Sequence, residues 1–231
     1  MSSAWYPSAT IRRYRFDGGS MVGGAPKLIL HTTETAGVPR YGDPAGANSA
    51  PHFTVAADGA VLQHHPINRA ARSLRNVRGG VETNRQGMFN VQVEIVARAK
   101  APTLPPAQFA ALRRLVSWVR SETGIDATYR AITRGGDCYG ASSPCRMTAR
   151  QWVEFEGLAG HAEVPENTHW DPGGFNFAAL LEEDDMLTEH EAATLKALVA
   201  ILDAKGSNAS FAAEAIDLVR AVHTLARTLE A

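Results

Sequence analysis

No stretch of the 231-residue sequence approaches the ~20 consecutive apolar residues needed to cross a bilayer as a helix, which excludes a transmembrane helix. Met1 to Arg15 contain no apolar core of a secretory signal, so the expectation is synthesis in, and initial residence in, a host cytoplasm. Net charge is also small. Lys and Arg number 23 against 24 Asp and Glu, which gives no global reason to expect nucleic acid or a membrane surface as partner. Cysteine is scarce: Cys138 and Cys145 are the only two, without CxxC spacing, so they make a weak metal signal. A cytosolic origin favours free thiols for this pair over a loop-closing disulfide formed after release. Internal repeats and low-complexity segments are missing as well, and no HExxH helix ties metal ligands together.

What is present is an ordinary soluble balance, 45% apolar and 20% charged, with length for one domain plus an appendage. Lys27-Leu-Ile-Leu30 is a short apolar run leading into His31 and predicts a buried strand. Ala50 to Val55, Asp58-Gly59 and Ala60 to His64 predict a hairpin around an Asp-Gly turn. Val91 to Val96 alternates β-branched with polar residues, the clearest strand signal in the chain. At Thr103 the period changes. Pro105 and Pro106 suit a first helical turn, and Phe109, Leu112, Leu115, Val116 and Val119 form one stripe ending at Gly124. Thr148 is an N-cap for a second helix, whose inner face is expected to carry Trp152, Phe155 and Leu158. A third short helix is expected after Asn176. Strands interspersed with helices predict an α/β domain with one central mixed sheet flanked by helices.

Residues 1–182 form that domain in this reading, and 183–231 a helical appendage. The composition shifts there, with nine acidic against four basic residues from Glu183 onward. Thr188-x-x-Glu191 is a capping box opening a helix with Leu195, Leu198, Val199 and Leu202 on one face, stopped at Gly206. Phe211, Ala215, Leu218, Val222, Leu225 and Leu229 then follow a heptad-like spacing on a second helix. The pair reads as a C-terminal helical hairpin folded back on its own chain, or as a seam for a homo-oligomer.

Chemistry concentrates in a subset of the eight histidines. His31 stands where a buried strand ends, a rigid place from which to present a ligand. Gly160-His-Ala-Glu-Val-Pro-Glu-Asn-Thr-His-Trp-Asp-Pro-Gly173 is dense in metal-capable groups, and Pro165, Pro172 and Gly173 mark it as loop. Such a loop could bend His161 and Asp171 onto an ion already held by His31. Glu94 is acidic in the middle of an apolar strand, where a carboxylate is costly without a partner or a task. Two imidazoles and one carboxylate suit a single zinc ion and leave a fourth position for water. A nearby carboxylate could take that water's proton, the apparatus of an amide hydrolase.

His31-Thr-Thr-Glu34, Pro51-His-Phe-Thr-Val-Ala-Ala-Asp-Gly59, Val93-Glu94-Ile95 and Gly160-His161 through His169-Trp-Asp171-Pro-Gly173 together resemble the zinc-dependent N-acetylmuramoyl-L-alanine amidases. That family shares its fold with peptidoglycan recognition proteins. The likeness spans roughly residues 5–182 and is greatest to endolysins of phages infecting actinobacteria. It implies zinc ligands His31, His161 and Asp171, and a catalytic glutamate at Glu94. Another branch of the family uses a tyrosine directly before the hairpin histidine. Pro51 stands there in this chain, which leaves the proton transfer to Glu94. Many relatives carry a lysine two residues before the last ligand, where this sequence has His169. His169 is therefore expected to steady the oxyanion, best when protonated, or else to pack beside Trp170.

The implied substrate is bacterial peptidoglycan, cut between N-acetylmuramic acid and L-alanine, with no nucleic acid or membrane partner. A cytosolic muropeptide-recycling amidase and a non-catalytic peptidoglycan-binding module are the rivals. The full ligand set with Glu94 favours an enzyme over the latter. His52 is expected to back the ligands or sit in the core. His64 and His65 are expected to be solvated or to line the cleft, and Glu163, Glu166, His190 and His223 to be exposed. Arg69, Arg72, Arg75, Arg78 and Arg85 form either a solvated loop or a contact for stem-peptide carboxylates.

Overall fold

The two most apolar runs lie side by side. Lys27–Thr32 (β2) pairs in parallel with Asn90–Ile95 (β5), Leu28 opposite Val91 and His31 opposite Glu94. Beyond β5 lies the hairpin of Phe53–Val55 (β3) and Val61–Gln63 (β4), and beyond β4 the two-residue Thr10–Ile11 (β1). On the other side β2 pairs with Gly157–Gly160 (β7), which in turn pairs with Tyr129–Arg130 (β6). The strand order is β1-β4-β3-β5-β2-β7-β6, and among the described residues only the β3–β4 pair is antiparallel. This is the expected mixed sheet. A computed structural model of the chain describes residues 4–41, 49–100, 103–130 and 138–181. The expected C-terminal helices, their oligomer seam, His190 and His223 lie outside the described residues.

Alternation of side chains along the strands separates two cores. Leu28, Leu30, Phe53, Val55, Val91, Val93, Ile95 and Leu158 turn to one face, where Pro106–Thr123 (α1) covers them with Leu112, Leu115, Val116 and Val119. α1 has proline at its start, as expected, and Gly124 closes it in the left-handed conformation, its N–H bonded to Arg120 O. Gln108 fastens the helix to the sheet by donating to Val55 O and Val96 O, each at 3.0 Å. The opposite face carries Ile29 and Ala159, packed on Met147, Val164 and Trp152 of the short Ala149–Glu154 helix (α2). Covering both faces explains why β2 is buried along its whole length. Because His31 and Glu94 share the parity of Ile29 and Gln92, both project on the α2 side.

Several expectations need correction. The second helix begins at Thr148 with the capping box completed by Gln151, but it ends at Glu154. Leu158 therefore lies on strand β7 rather than on the helix's inner face, and Phe155 is the extended residue between them. Gly157 makes the switch possible: at φ +113 it lets the chain leave the helix and enter the sheet against Thr128. The third helix is Ala178–Leu181 (α3), with Leu180 in the α1 core. Cys138 and Cys145 are not free thiols but a disulfide, with Cα atoms 5.4 Å apart. The backbone bond Ser143 N–H to Gly140 O turns that loop back toward itself, and Gly140 N–H to Thr168 O ties it to the segment before Asp171.

Candidate metal centre and active site

Parallel pairing of β2 with β7 places the ends of both strands together, and His31 and the residue following β7, His161, meet there. His161 opens a 3-10 turn, His161–Glu163, rather than lying in open loop. Ala162 N–H donates to Asp171 O at 2.8 Å, which folds the downstream segment back and brings the Asp171 carboxylate to the same point. The Nδ1 atoms of His31 and His161 stand 3.0 Å apart. Asp171 Oδ1 is 3.3 Å from His161 Nδ1, and its Oδ2 is 3.8 Å from His31 Nδ1. All three side chains are buried. Glu94 stands at the edge of this cluster, Oε2 3.9 Å from His31 Nδ1.

The far sides of both rings are held. His161 Nε2 lies 2.8 Å from Asn167 Oδ1, and His31 Nε2 lies 3.5 Å from Ser73 Oγ. Ser73 Oγ donates to Gln92 Oε1 at 2.6 Å, so it is left to accept from His31. With Nε2 donating on each ring, both Nδ1 lone pairs face inward beside a carboxylate. Three acceptors converging without a donor between them is the chemistry of a cation site. Ligand bonds of ~2.0 Å in a tetrahedron give edges of about 3.3 Å, close to the separations found. Two imidazoles, one carboxylate and an open side toward Glu94 fit zinc.

Electrostatics agree with that donor set. Burial pushes His31 well below its ordinary pKa, and the neighbouring His161 ring lowers it further, so it stays neutral and able to ligate. Burial works to raise Asp171, but the positive charge that His161, and then His31, carries when protonated outweighs it and holds the carboxyl below its usual range. A cation between the three would push in the same direction. Thr32 N–H adds a hydrogen bond to Asp171 Oδ2 at 3.1 Å. Glu94 goes the other way: burial, then the charges of Asp171 and Glu34, raise it well above an ordinary glutamate.

The profile of the N-acetylmuramoyl-L-alanine amidase family matches residues 24–174, which contain every group just described. The chain belongs to this family. A search among curated proteins returns no match. Among solved structures, the endolysin amidase LysCS of Clostridium intestinale is similar at 14% identity and TM-score 0.48, covering 77% of this chain and 95% of its own. Staphylococcus aureus AmiA is similar at 14% and 0.48, covering 76% of this chain and 80% of its own. The Drosophila peptidoglycan recognition protein SA stands at 11% and 0.45, with 78% and 95% covered.

In this amidase-family chain His169 is at the mouth of the centre. Its ring stacks on His161 with centroids 4.8 Å apart and planes at 10°, and its side chain is 65% exposed. Partial desolvation where the ring lies against the protein, and then the neighbouring His161, lower its pKa, with Asp171 opposing.

Other expectations are revised. His52 is a core histidine: its Nε2 faces Arg69 O at 2.7 Å, and its Nδ1 accepts from Gln92 N–H at 3.0 Å. It backs His31 only through Gln92 and Ser73. His64 and His65 are buried rather than solvated; His64 bridges Thr54 Oγ1 at 3.0 Å and Arg12 O at 3.1 Å. Glu163 is buried, not exposed, and accepts from Gly160 N–H at 2.6 Å. Glu166 is half-buried at positive φ and accepts from Val81 N–H at 3.2 Å. Arg69 is paired with Asp17 through two bonds of 3.0 and 3.1 Å, and Arg85 with Glu82 at 3.7 Å. Arg72, Arg75 and Arg78 are exposed. Sequence reasoning missed Asn167, Ser73 and Gln92. Asn167 lies between the two downstream ligands and Gln92 shares the strand face of Glu94, whereas nothing in the sequence around Ser73 marks it.

Proposed function

We propose that this chain is a zinc-dependent amidase that hydrolyses the bond between the lactyl carbonyl of N-acetylmuramic acid and L-alanine in peptidoglycan. The observation carrying the reading is the convergence of His31 Nδ1, His161 Nδ1 and the Asp171 carboxylate beside Glu94. His31, His161 and Asp171 would hold the ion, which supplies Lewis acidity to the carbonyl and to a water. Glu94, with its raised proton affinity, accepts the proton of the attacking water and returns it to the leaving amine. His169, exposed and stacked on His161, donates an N–H to the oxygen that gains charge at the reacting carbonyl. Asn167 and Ser73 keep the two imidazoles in the ligating tautomer.

The role we propose is that of a phage endolysin, made in the host cytoplasm and acting on the wall after release. The Cys138–Cys145 disulfide supports a place of action outside the reducing cytosol and disfavours a muropeptide-recycling enzyme. The test combines metal analysis with end-group analysis of digested walls. One zinc per chain and new L-alanine amino termini from intact sacculi, abolished by chelator, are the expected result. Reducing sugars in place of amino termini would overturn the bond assignment. Activity confined to soluble fragments would overturn the lytic role.

A further inference from the structure

Arg146 takes no part in the chemistry above, yet its guanidinium reaches five backbone carbonyls. Nη1 donates to His161 O at 3.2 Å and to Ala162 O. Nη2 donates to Cys138 O at 2.9 Å, Gly140 O at 3.2 Å and His169 O at 2.5 Å. These oxygens belong to three separate segments. One is the loop closed by the disulfide, one is the turn that begins with the ligand His161, and one lies two residues before the ligand Asp171. The residue's own N–H donates to Ser143 O at 3.2 Å, and the N–H of the next residue, Met147, donates to Glu163 O at 2.8 Å. A guanidinium is a rigid plane with its N–H groups in a fixed fork, so gripping carbonyls from three segments sets their spacing. The side chain is half-buried, and burial of its charge is only partly offset by the carboxylates of Asp171 and Glu163.

We propose that Arg146 is a positioning residue of the metal centre, its fork fixing the separation between His161 and the Asp171 segment. The proposal rests on the reading of His31, His161 and Asp171 as zinc ligands. A site of this kind tolerates only ~0.5 Å of error in its groups. Ala162 and Trp170 pack on the disulfide, and Gly140 N–H to Thr168 O and Ala162 N–H to Asp171 O join the segments in pairs, while the Arg146 fork bonds all three at once. A lysine keeps the charge but can reach only part of the set with a single point donor.

The test measures the zinc dissociation constant of the full-length chain by competition with a chromophoric chelator, with thermal unfolding of each metal-free form alongside. Arg146→Lys is expected to remain folded and to weaken zinc binding about ten- to a hundredfold, the usual effect of losing an outer partner of a ligand set. Arg146→Ala is expected to weaken it further; if that variant fails to fold, the lysine variant decides alone. Arg150→Ala, which removes an exposed pair with Glu154, is the control and should bind as the parent does. Parent-like affinity in Arg146→Lys overturns the proposal, whether or not its unfolding temperature has dropped. A parent chain that binds no zinc overturns the amidase reading itself, and this inference with it.

Discussion

Nε2 of His161 lies 2.8 Å from Oδ1 of Asn167, and that contact decides which ring nitrogen faces the metal centre. The amide's orientation is fixed independently. Its Nδ2 donates to Arg75 O and Pro165 O, and its Oδ1 already accepts from Arg75 N–H, so His161 must bring a proton. Asn167→Ala removes the acceptor and frees the ring to exchange tautomers. Zinc affinity is expected to fall about ten- to a hundredfold, read by chelator competition. Undiminished affinity would show that the ring is oriented by packing alone.

Glu94 carries the proton transfer in the proposed mechanism. Glu94→Gln is expected to retain zinc while turnover falls by about 10²–10⁴. Loss of zinc from that variant would instead make the residue a ligand. The pH dependence follows from its raised pKa. A base must be deprotonated, so activity is lost as pH falls through the Glu94 pKa, above the ordinary glutamate value; bound zinc draws that limb downward. Glu34 contributes to the upward shift, and its Oε1 accepts from Thr32 Oγ1 and Ala99 N–H. Glu34→Gln keeps an acceptor but removes the charge, and the acid limb of kcat/KM should move to lower pH. A limb that stays in place excludes Glu94 as its source.

Two histidines far from the chemistry set acid stability. Burial drives His52 down to about 3 and His64 down to about 4, with the carbonyls of Arg69 and Arg12 opposing only in part. Unfolded, each would take up its proton near 6.5. The folded state therefore binds fewer protons between the two values, and its stability is complete above pH 6.5 and withdrawn as pH falls toward 4 and then 3. Urea midpoints measured from pH 7 to pH 4 should decline steadily. His64→Gln should flatten the part of the decline that belongs to that residue.

Gly157 joins α2 to β7 at φ +113, and a Cβ there would stand 2.5 Å from Thr128 O. Gly157→Ala is expected to cost about 3 kcal/mol, combining backbone strain with overpacking, as read by urea unfolding. Zinc affinity should drop with it, because β7 delivers His161. Parent-like stability would mean that β7 shifts freely against β6.

The ligand trio was legible because its members are chemically conspicuous, and their order along the chain matched a family pattern. The strand β5 was legible from its alternation, and the hairpin and α1 from their apolar patterns together with the Asp58-Gly59 turn, the starting prolines and Gly124. β7 was hidden for a physical reason: Gly157-Leu-Ala-Gly160 has one large apolar side chain, and Leu158 falls in helical phase with Trp152 and Phe155. The short strand is specified by its neighbour β2 and by a glycine turn rather than by its own composition. Burial of His64 and Glu163 was equally hidden, since each is made tolerable by partners that only the fold supplies, such as Thr54 and the N–H of Gly160. The disulfide was misjudged because the expectation weighed the compartment of synthesis, whereas the bond depends on a loop geometry.

His31 and His161 are 130 positions apart and become neighbours only because β7 docks beside β2. A growing polypeptide can thus complete β2, the hairpin, β5 and α1 without possessing any ion-binding pocket at all. Pairing strands so distant along the chain carries a loop-closure cost that makes such contacts intrinsically slow to form. On the proposed reading, a ribosome-bound fragment that stops short of Asp171 would lack the third ligand and with it any amidase activity.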